Sequence, residues 1–315
     1  MKKIMVTSLI ALMGVILSAC GNNNVESSIN EANGGEGFVT IEDSSGNSVE
    51  VPVNPQKVAV FDNGQLDNLN SLGLSDRVVL TASPNMPEHL IEFSDVETAG
   101  SFFEIDLEVT NAMEPDLIIV AGRSSSSCDD LSTIAPTLDL SNDSQAYMDS
   151  IQTNLERLGK IFEKEDKAEE LIGTIKNELD ELQLEAQDSD DTTLMVMFNE
   201  GSLSAYGSGS RFGVIYDAFG FTPADENIEV SNHGMEVSYE YILAQNPSTL
   251  FILDRTAAIG GEVTSEELEQ NAIIQETQAY KDEKMYYLTP SAWYLSEGGA
   301  EAFQIMMNEV SEAIN

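Results

Sequence analysis

Apolar and polar positions along the chain change their period several times, and each change marks an element. VTIEDSSGNSVEVPV (39–53) alternates on both sides of an SSGN turn, which predicts a β-hairpin. KVAVFD (57–62) reads as a short buried strand, QLDNLNSLGL (65–74) as a short amphipathic helix and RVVLTAS (77–83) as another strand. DLEVTNAMEPDLIIVAGR (106–123) continues with a helix, a break at Pro115 and a strand. From about Tyr147 to Gln187 the spacing becomes three and four, through Ile151, Leu155, Leu158 and Phe162, then Ala168, Leu171, Ile175, Leu179 and Leu182. Gly159 and the charged run EKEDK lie between the two sets, so this is a pair of helices or one bent helix. The second, of about 23 residues, would span roughly 34 Å, enough to cross from one lobe to another. TLMVMFNE, STLFILDR and KMYYLT then read as strands, with SRFGVIYDAFGF (210–221) and AEAFQIMMNEVSEAI (300–314) as helices. Short strands alternating with helices define an α/β fold.

One unit occurs twice. DLEVTNAMEPDLIIVAGR (106–123) aligns without gaps on SYEYILAQNPSTLFILDR (238–255), at a constant offset of 132 residues. Glu108 meets Glu240, Ala112 meets Ala244, Pro115 meets Pro247 and Arg123 meets Arg255, one copy on each side of the long helical segment.

The first twenty residues, MKKIMVTSLIALMGVILSAC, hold two lysines, an apolar run from Met5 to Leu17 and the tetrapeptide LSAC before a glycine. The run is too short to span a bilayer, and a small-residue site follows at once, which defines a secretory leader. LSAC-G resembles a bacterial lipobox, so Cys20 is the expected lipid-bearing first residue of the mature chain. Residues 21–37, GNNNVESSINEANGGEG, bury almost nothing and read as a flexible tether. Cys128 is the one other cysteine, so no internal disulfide framework supports the fold.

Charge narrows the choice of partner. The chain has 14 Lys and Arg against 55 Asp and Glu; without Lys2 and Lys3 the net charge is near −43. Such a surface repels phosphate backbones and anionic lipid, which excludes nucleic acid as a partner. The acids are spread along the chain, as on a solvated surface suited to high salt, and no D-x-D-x-D-G calcium loop is present.

Against that background three of the five arginines fall where a ligand would sit. Ligands of open α/β sheets lie beyond the carboxyl ends of the strands. Arg123 and Arg255 leave predicted strands there, and Arg211 follows the loop GSLSAYGSGS at the start of a predicted helix. A guanidinium keeps its charge and donates several hydrogen bonds in a plane, so three of them would select a multiply anionic ligand. Taken singly, each arginine is better explained by a salt bridge to one of the many carboxylates; it is the three together that point to a ligand. His233, in VSNHGMEVS, and Tyr294, in PSAWYLSEGG, lie in predicted loops; imidazole and phenolate together suit a hard ferric ion, although a lone His or Tyr is usually structural. His89, at a helix start, looks ordinary.

VFDNGQLDNLNSLGL, SRFGVIYDAFGF, FILDRTAAIGG and YYLTPSAWYLSEGG with its preceding QETQAYKDEK resemble, in the same order, signatures of the lipid-anchored solute-binding proteins of ABC importers that capture ferric siderophores, especially catecholate binders. The resemblance covers nearly all of the mature chain. It implies two α/β lobes joined by a long rigid backbone helix, with the ligand in a shallow cleft between them. The divisions that follow are a leader (1–19), a lipidated tether (20–37), an N-terminal lobe (38–145), an inter-lobe helical segment (146–189) and a C-terminal lobe (190–315).

By the same resemblance Arg123, Arg211 and Arg255 face the anionic iron catecholate. His233 and Tyr294 complete the iron's coordination when a siderophore supplies only four oxygens, and Glu108 and Glu240 meet arginines of the permease. A glutamate in a first helical turn also has an explanation in the helix dipole. The implied protein is a monomer on the extracytoplasmic face of the membrane that works with a permease and its ATPase. It holds no permanent cofactor, the ferric siderophore being its ligand. Haem or cobalamin on the same fold is the alternative, though three arginines suit haem poorly, and two histidines are too few for a free-metal site. A secreted hydrolase is remote, because SSSSCDD comes with no G-x-S-x-G elbow and no His or Asp at readable spacing.

Overall fold

Five short parallel strands build the first sheet, in the spatial order Glu97–Thr98, Val78–Thr81, Val58–Val60, Leu117–Val120 and Thr137–Asp139. The chain winds outward one way from Val58–Val60 and then returns to its other side with Leu117–Val120. The switch point therefore lies between these two strands, and the crevice at their carboxyl ends is where such a sheet receives ligands. The second sheet runs Met235–Val237, Ser202–Tyr206, Thr192–Asn199, Thr249–Asp254 and Met285–Leu288. Its last three strands are parallel, its first two antiparallel to their neighbours. The expected hairpin pairs Phe38–Glu42 with Ser48–Pro52. The computed structural model describes residues 37–82, 86–261, 265 and 267–314, all within one compact unit; Cys20, the leader and nearly all of the tether lie outside the described residues.

Successive strand side chains point to opposite faces, and three buried clusters record it. Ala59, Ile118 and Val120 enter a cluster on one side of the first sheet. Leu194, Val196, Phe198, Leu250 and Ile252 enter another beyond the second. The opposite faces of both sheets, through Val58, Val60, Leu117, Ile119, Met195, Met197, Phe251 and Leu253, join a single cluster. That cluster also takes in side chains of the helices Tyr147–Phe162, Glu165–Asp188 and Ala300–Ser311. The two lobes thus share apolar surface removed from water, and separating them would expose it.

The helical segment is two helices, broken at Glu163, whose backbone is left-handed at φ 56°. Their close approach depends on Gly159, where a Cβ would come 3.0 Å from that of Ala168. The 24 residues of Glu165–Asp188 span about 36 Å. The repeated unit is also repeated in space: Leu107–Met113 and Tyr239–Gln245 are helices of equal length, each ended by a left-handed residue, Glu114 and Asn246, before its strand.

Two expectations need correction. SRFGVIYDAFGF forms only one helical turn, Val214–Asp217: the Phe219 amide already returns to the Val214 carbonyl, and Gly220, at φ 82°, carries the chain out of helical geometry. The helix Asn63–Ser71 is not amphipathic but buried from Asn63 to Leu69. Its polar side chains reach across to the far end of the sequence. Asp67 accepts the amides of Glu301 (3.0 Å) and Ala302 (2.8 Å), and the Asn68 amide oxygen accepts that of Ala300 (3.0 Å) while its nitrogen donates to the Gly298 carbonyl (3.1 Å). These bonds satisfy the first free N–H groups of Ala300–Ser311 with side chains from a helix more than 230 residues earlier. Burial pushes the Asp67 carboxyl up to about 7, against the two backbone amides that hold it down.

Candidate functional site

The exit of Leu117–Val120 turns through Gly122, at φ 49°, and the next side chain, Arg123, crosses to the other lobe. Its Nη2 donates to the carbonyl of Tyr294 at 2.8 Å, and its guanidinium carbon lies 4.9 Å from the Tyr294 ring centre. The exit of Thr249–Asp254 behaves alike: Asp254 caps the turn Arg255–Ala258 by accepting the Ala257 amide, which fixes Arg255. Arg255 Nε donates to the Tyr294 hydroxyl at 2.8 Å and Nη1 to Asn199 Oδ1 at 2.7 Å. Arg211 leaves the tight loop 207–213, which Asp217 closes by accepting the Gly209 amide. Its guanidinium carbon is 4.5 Å from the Tyr294 ring centre and 4.9 Å from that of Phe212.

All three guanidiniums therefore converge on one tyrosine. Tyr294 sits in a wide π-type turn, Ser291–Leu295, the kind of helical irregularity that recurs at functional sites. Trp293 points inward, fully buried, and donates its indole N–H to Glu309. The Tyr294 carbonyl accepts from Arg123 and, at 3.4 Å, from Arg211. Burial pushes the Tyr294 phenol up, yet the Arg255 hydrogen bond and the charges of Arg211, Arg255 and Arg123 more than offset it and hold it below its ordinary value.

A cavity of about 640 Å³ opens beside this cluster, walled by Asp62, Arg123, Tyr147, Arg211, His233 and Glu297. Arg123, Arg211 and His233 are brought to its wall. Arg255 and Tyr294 stand behind it, Tyr294 only 9% exposed. His233 is exposed, its amide donating to Ser231 Oγ, and among the described residues it makes no hydrogen bond to Tyr294. Glu108 and Glu240 are exposed in the first turns of the two repeated helices, which place them at the strand-exit end of each lobe. His89 is buried, its Nε2 3.7 Å from the Asp67 carboxylate.

Sequence reasoning missed two carboxylates. Glu297 takes Arg211 across its Nε edge at 3.0 Å to each oxygen and bonds Nη2 as well. Asp62 caps the helix Asn63–Ser71 through the Gln65 amide; burial, with the charge of Glu297, pushes its carboxyl up to about 6 despite that bond and Arg123. The signal for Glu297 was its place three residues after Tyr294, just before the glycine pair that meets the buried helix.

Two lobes around a shared core, with an arginine-bearing cleft at the strand exits, define a binding protein, and the chain matches the periplasmic binding protein family over residues 58–292 and belongs to it. Members serve ABC transporters as substrate-binding proteins and are not enzymes. The chain is 38% identical, over an alignment of 316 residues, to the petrobactin-binding protein YclQ of Bacillus subtilis strain 168, covering 100% of this chain and 99% of that protein. The crystal structure of YclQ superposes with a TM-score of 0.86 at 39% identity, over 88% of this chain and 99% of that one. The crystal structure of the periplasmic catecholate-siderophore binding protein VctP from Vibrio cholerae does so with a TM-score of 0.82 at 32% identity, over 87% and 99%.

Proposed function

We propose that the protein captures a ferric siderophore of the catecholate type in the cleft between its lobes and delivers it to an ABC permease driven by its ATPase. One observation carries this reading: in a chain of 55 acidic residues, three guanidiniums gather on one tyrosine, and two of them, Arg123 and Arg255, have no carboxylate at ion-pair distance among the described residues. Their charge is not cancelled by a neighbouring carboxylate and remains available to an anion that enters the cleft. Catecholate oxygens accept from the free edges of the guanidiniums, and the iron stays with its chelator as cargo. With a tetradentate siderophore, the Tyr294 phenolate and the His233 imidazole complete the coordination, and Tyr294 is the readier donor because the arginines favour its ionised form. Cys20 carries the lipid that holds the protein, as a monomer, at the outer face of the membrane. Glu108 and Glu240 meet the permease, one from each lobe. The names of YclQ and VctP support the siderophore reading.

Quenching of Trp293, the chain's one tryptophan, tests it. Ferric catecholates should quench saturably; quenching by haem or cobalamin alone would sink the proposal.

A further inference from the structure

Arg211 is the one member of the arginine cluster that already has an anion. Glu297 holds it along the Nε and Nη2 edge, both side chains are 22% exposed, and both face the cavity. Burial works against the Arg211 charge, but Glu297 more than offsets it and raises the guanidinium above its ordinary value. Arg211 is thereby oriented over Tyr294 while its charge is balanced by a neighbouring carboxylate. Asp62 and Asp143 also line the cavity, so its wall carries three carboxylates against the two guanidiniums of Arg123 and Arg211. A site assembled only to attract negative charge would not carry a carboxylate on its most stacked arginine.

We infer that Glu297 is a charge selector, an internal counterion that tunes the cleft toward ferric chelates of low negative charge and against trianionic ones. This rests on the ferric-chelate reading given above and narrows it. A ferric bis(catecholate) carries one negative charge, a ferric tris(catecholate) three. The first can be met by Arg123 on the cavity wall, with the charge of Arg255 behind it, while the Glu297 pair stays intact. The second brings its extra charge against Glu297 and Asp62, or must pull Arg211 away from a partly buried bidentate partner, which is unfavourable.

The test compares a linear bis(catecholate) and a hexadentate tris(catecholate), both iron-loaded, by Trp293 quenching on the wild type, Glu297→Gln and Glu297→Asp. Wild type should prefer the bis complex. Glu297→Gln should move the ratio of the two Kd values toward the tris complex by at least about tenfold, the scale of removing one charge near a partly buried ligand. Glu297→Asp, which keeps the charge, should hold the wild-type preference. An unchanged ratio in Glu297→Gln, with both complexes weakened alike, would make Glu297 a mere support for Arg211 and overturn the inference alone. Wild type binding neither complex would instead overturn the siderophore reading itself. Thermal melts of both variants distinguish a changed ratio from a misfolded protein.

Discussion

Replacing Arg123 separates charge from geometry at the cleft. Its Nη2 is committed to the Tyr294 carbonyl at 2.8 Å, which leaves Nε and Nη1 free for a ligand, and no carboxylate pairs with it among the described residues. Arg123→Ala therefore removes at least one charge-assisted hydrogen bond to an anionic chelate, about 1.5–3 kcal/mol, or roughly 10- to 150-fold in Kd. Arg123→Lys keeps the charge but not the planar fork, and a lysine cannot both hold the Tyr294 carbonyl and donate in plane to catecholate oxygens. It should lose about tenfold, less than the alanine variant. Stability should change little in either, because the side chain is partly exposed and the lobes share their main apolar cluster without it. The assay is quenching of Trp293, whose burial keeps solvent changes from mimicking binding. An alanine variant that binds within about threefold of wild type would refute the reasoning.

Further expectations concern stability, pH and salt. Asp67→Ala strips the amides of Glu301 and Ala302 of their acceptor and should cost about 2–3 kcal/mol in urea denaturation, the sum of a lost helix cap and unpaired buried N–H groups less the relief of a buried carboxylate; a loss below about 0.5 kcal/mol would show the cap to be idle. Asp62, with its carboxyl raised to about 6, is negative above that pH and neutral below it, so an anionic chelate should bind more tightly as pH falls from about 7.5 to about 5.5. Asp62→Asn should flatten that profile, and an unaltered profile in the variant would assign the dependence elsewhere. Because the net charge repels an anionic ligand at long range, affinity should persist or rise on going from low to molar salt; a steep fall would mean that the local arginine field does not govern recognition.

Local pattern was enough where neighbours in sequence are neighbours in space. The repeated helix and strand were legible because a helical turn, a left-handed stop and an apolar strand are all written within eighteen residues, and Arg123 and Arg255 came with them. The buried helix Asn63–Ser71 was not, since its polar residues find partners some 230 positions later, at Gly298 and Ala300. The same distance hid Glu297, whose bond to Arg211 joins two loops 86 residues apart. In Arg211 the salt-bridge explanation holds, through Glu297, on the same side chain that is proposed to face the ligand.

The bonds from Asp67 and Asn68 to the last helix also set an order of assembly. The polar side chains that cap Ala300–Ser311 lie in the first helix of the globular chain, so until residue 302 is available they face water in place of their native partners. These bonds close a loop of more than 230 residues, whose ordering costs chain entropy before the cap can form. A chain stopped before residue 300 would leave Asp67 and Asn68 facing an empty seam, and with it the apolar cluster that both sheets share. The last helix is therefore the keystone of the fold, set in place by a helix made at its beginning.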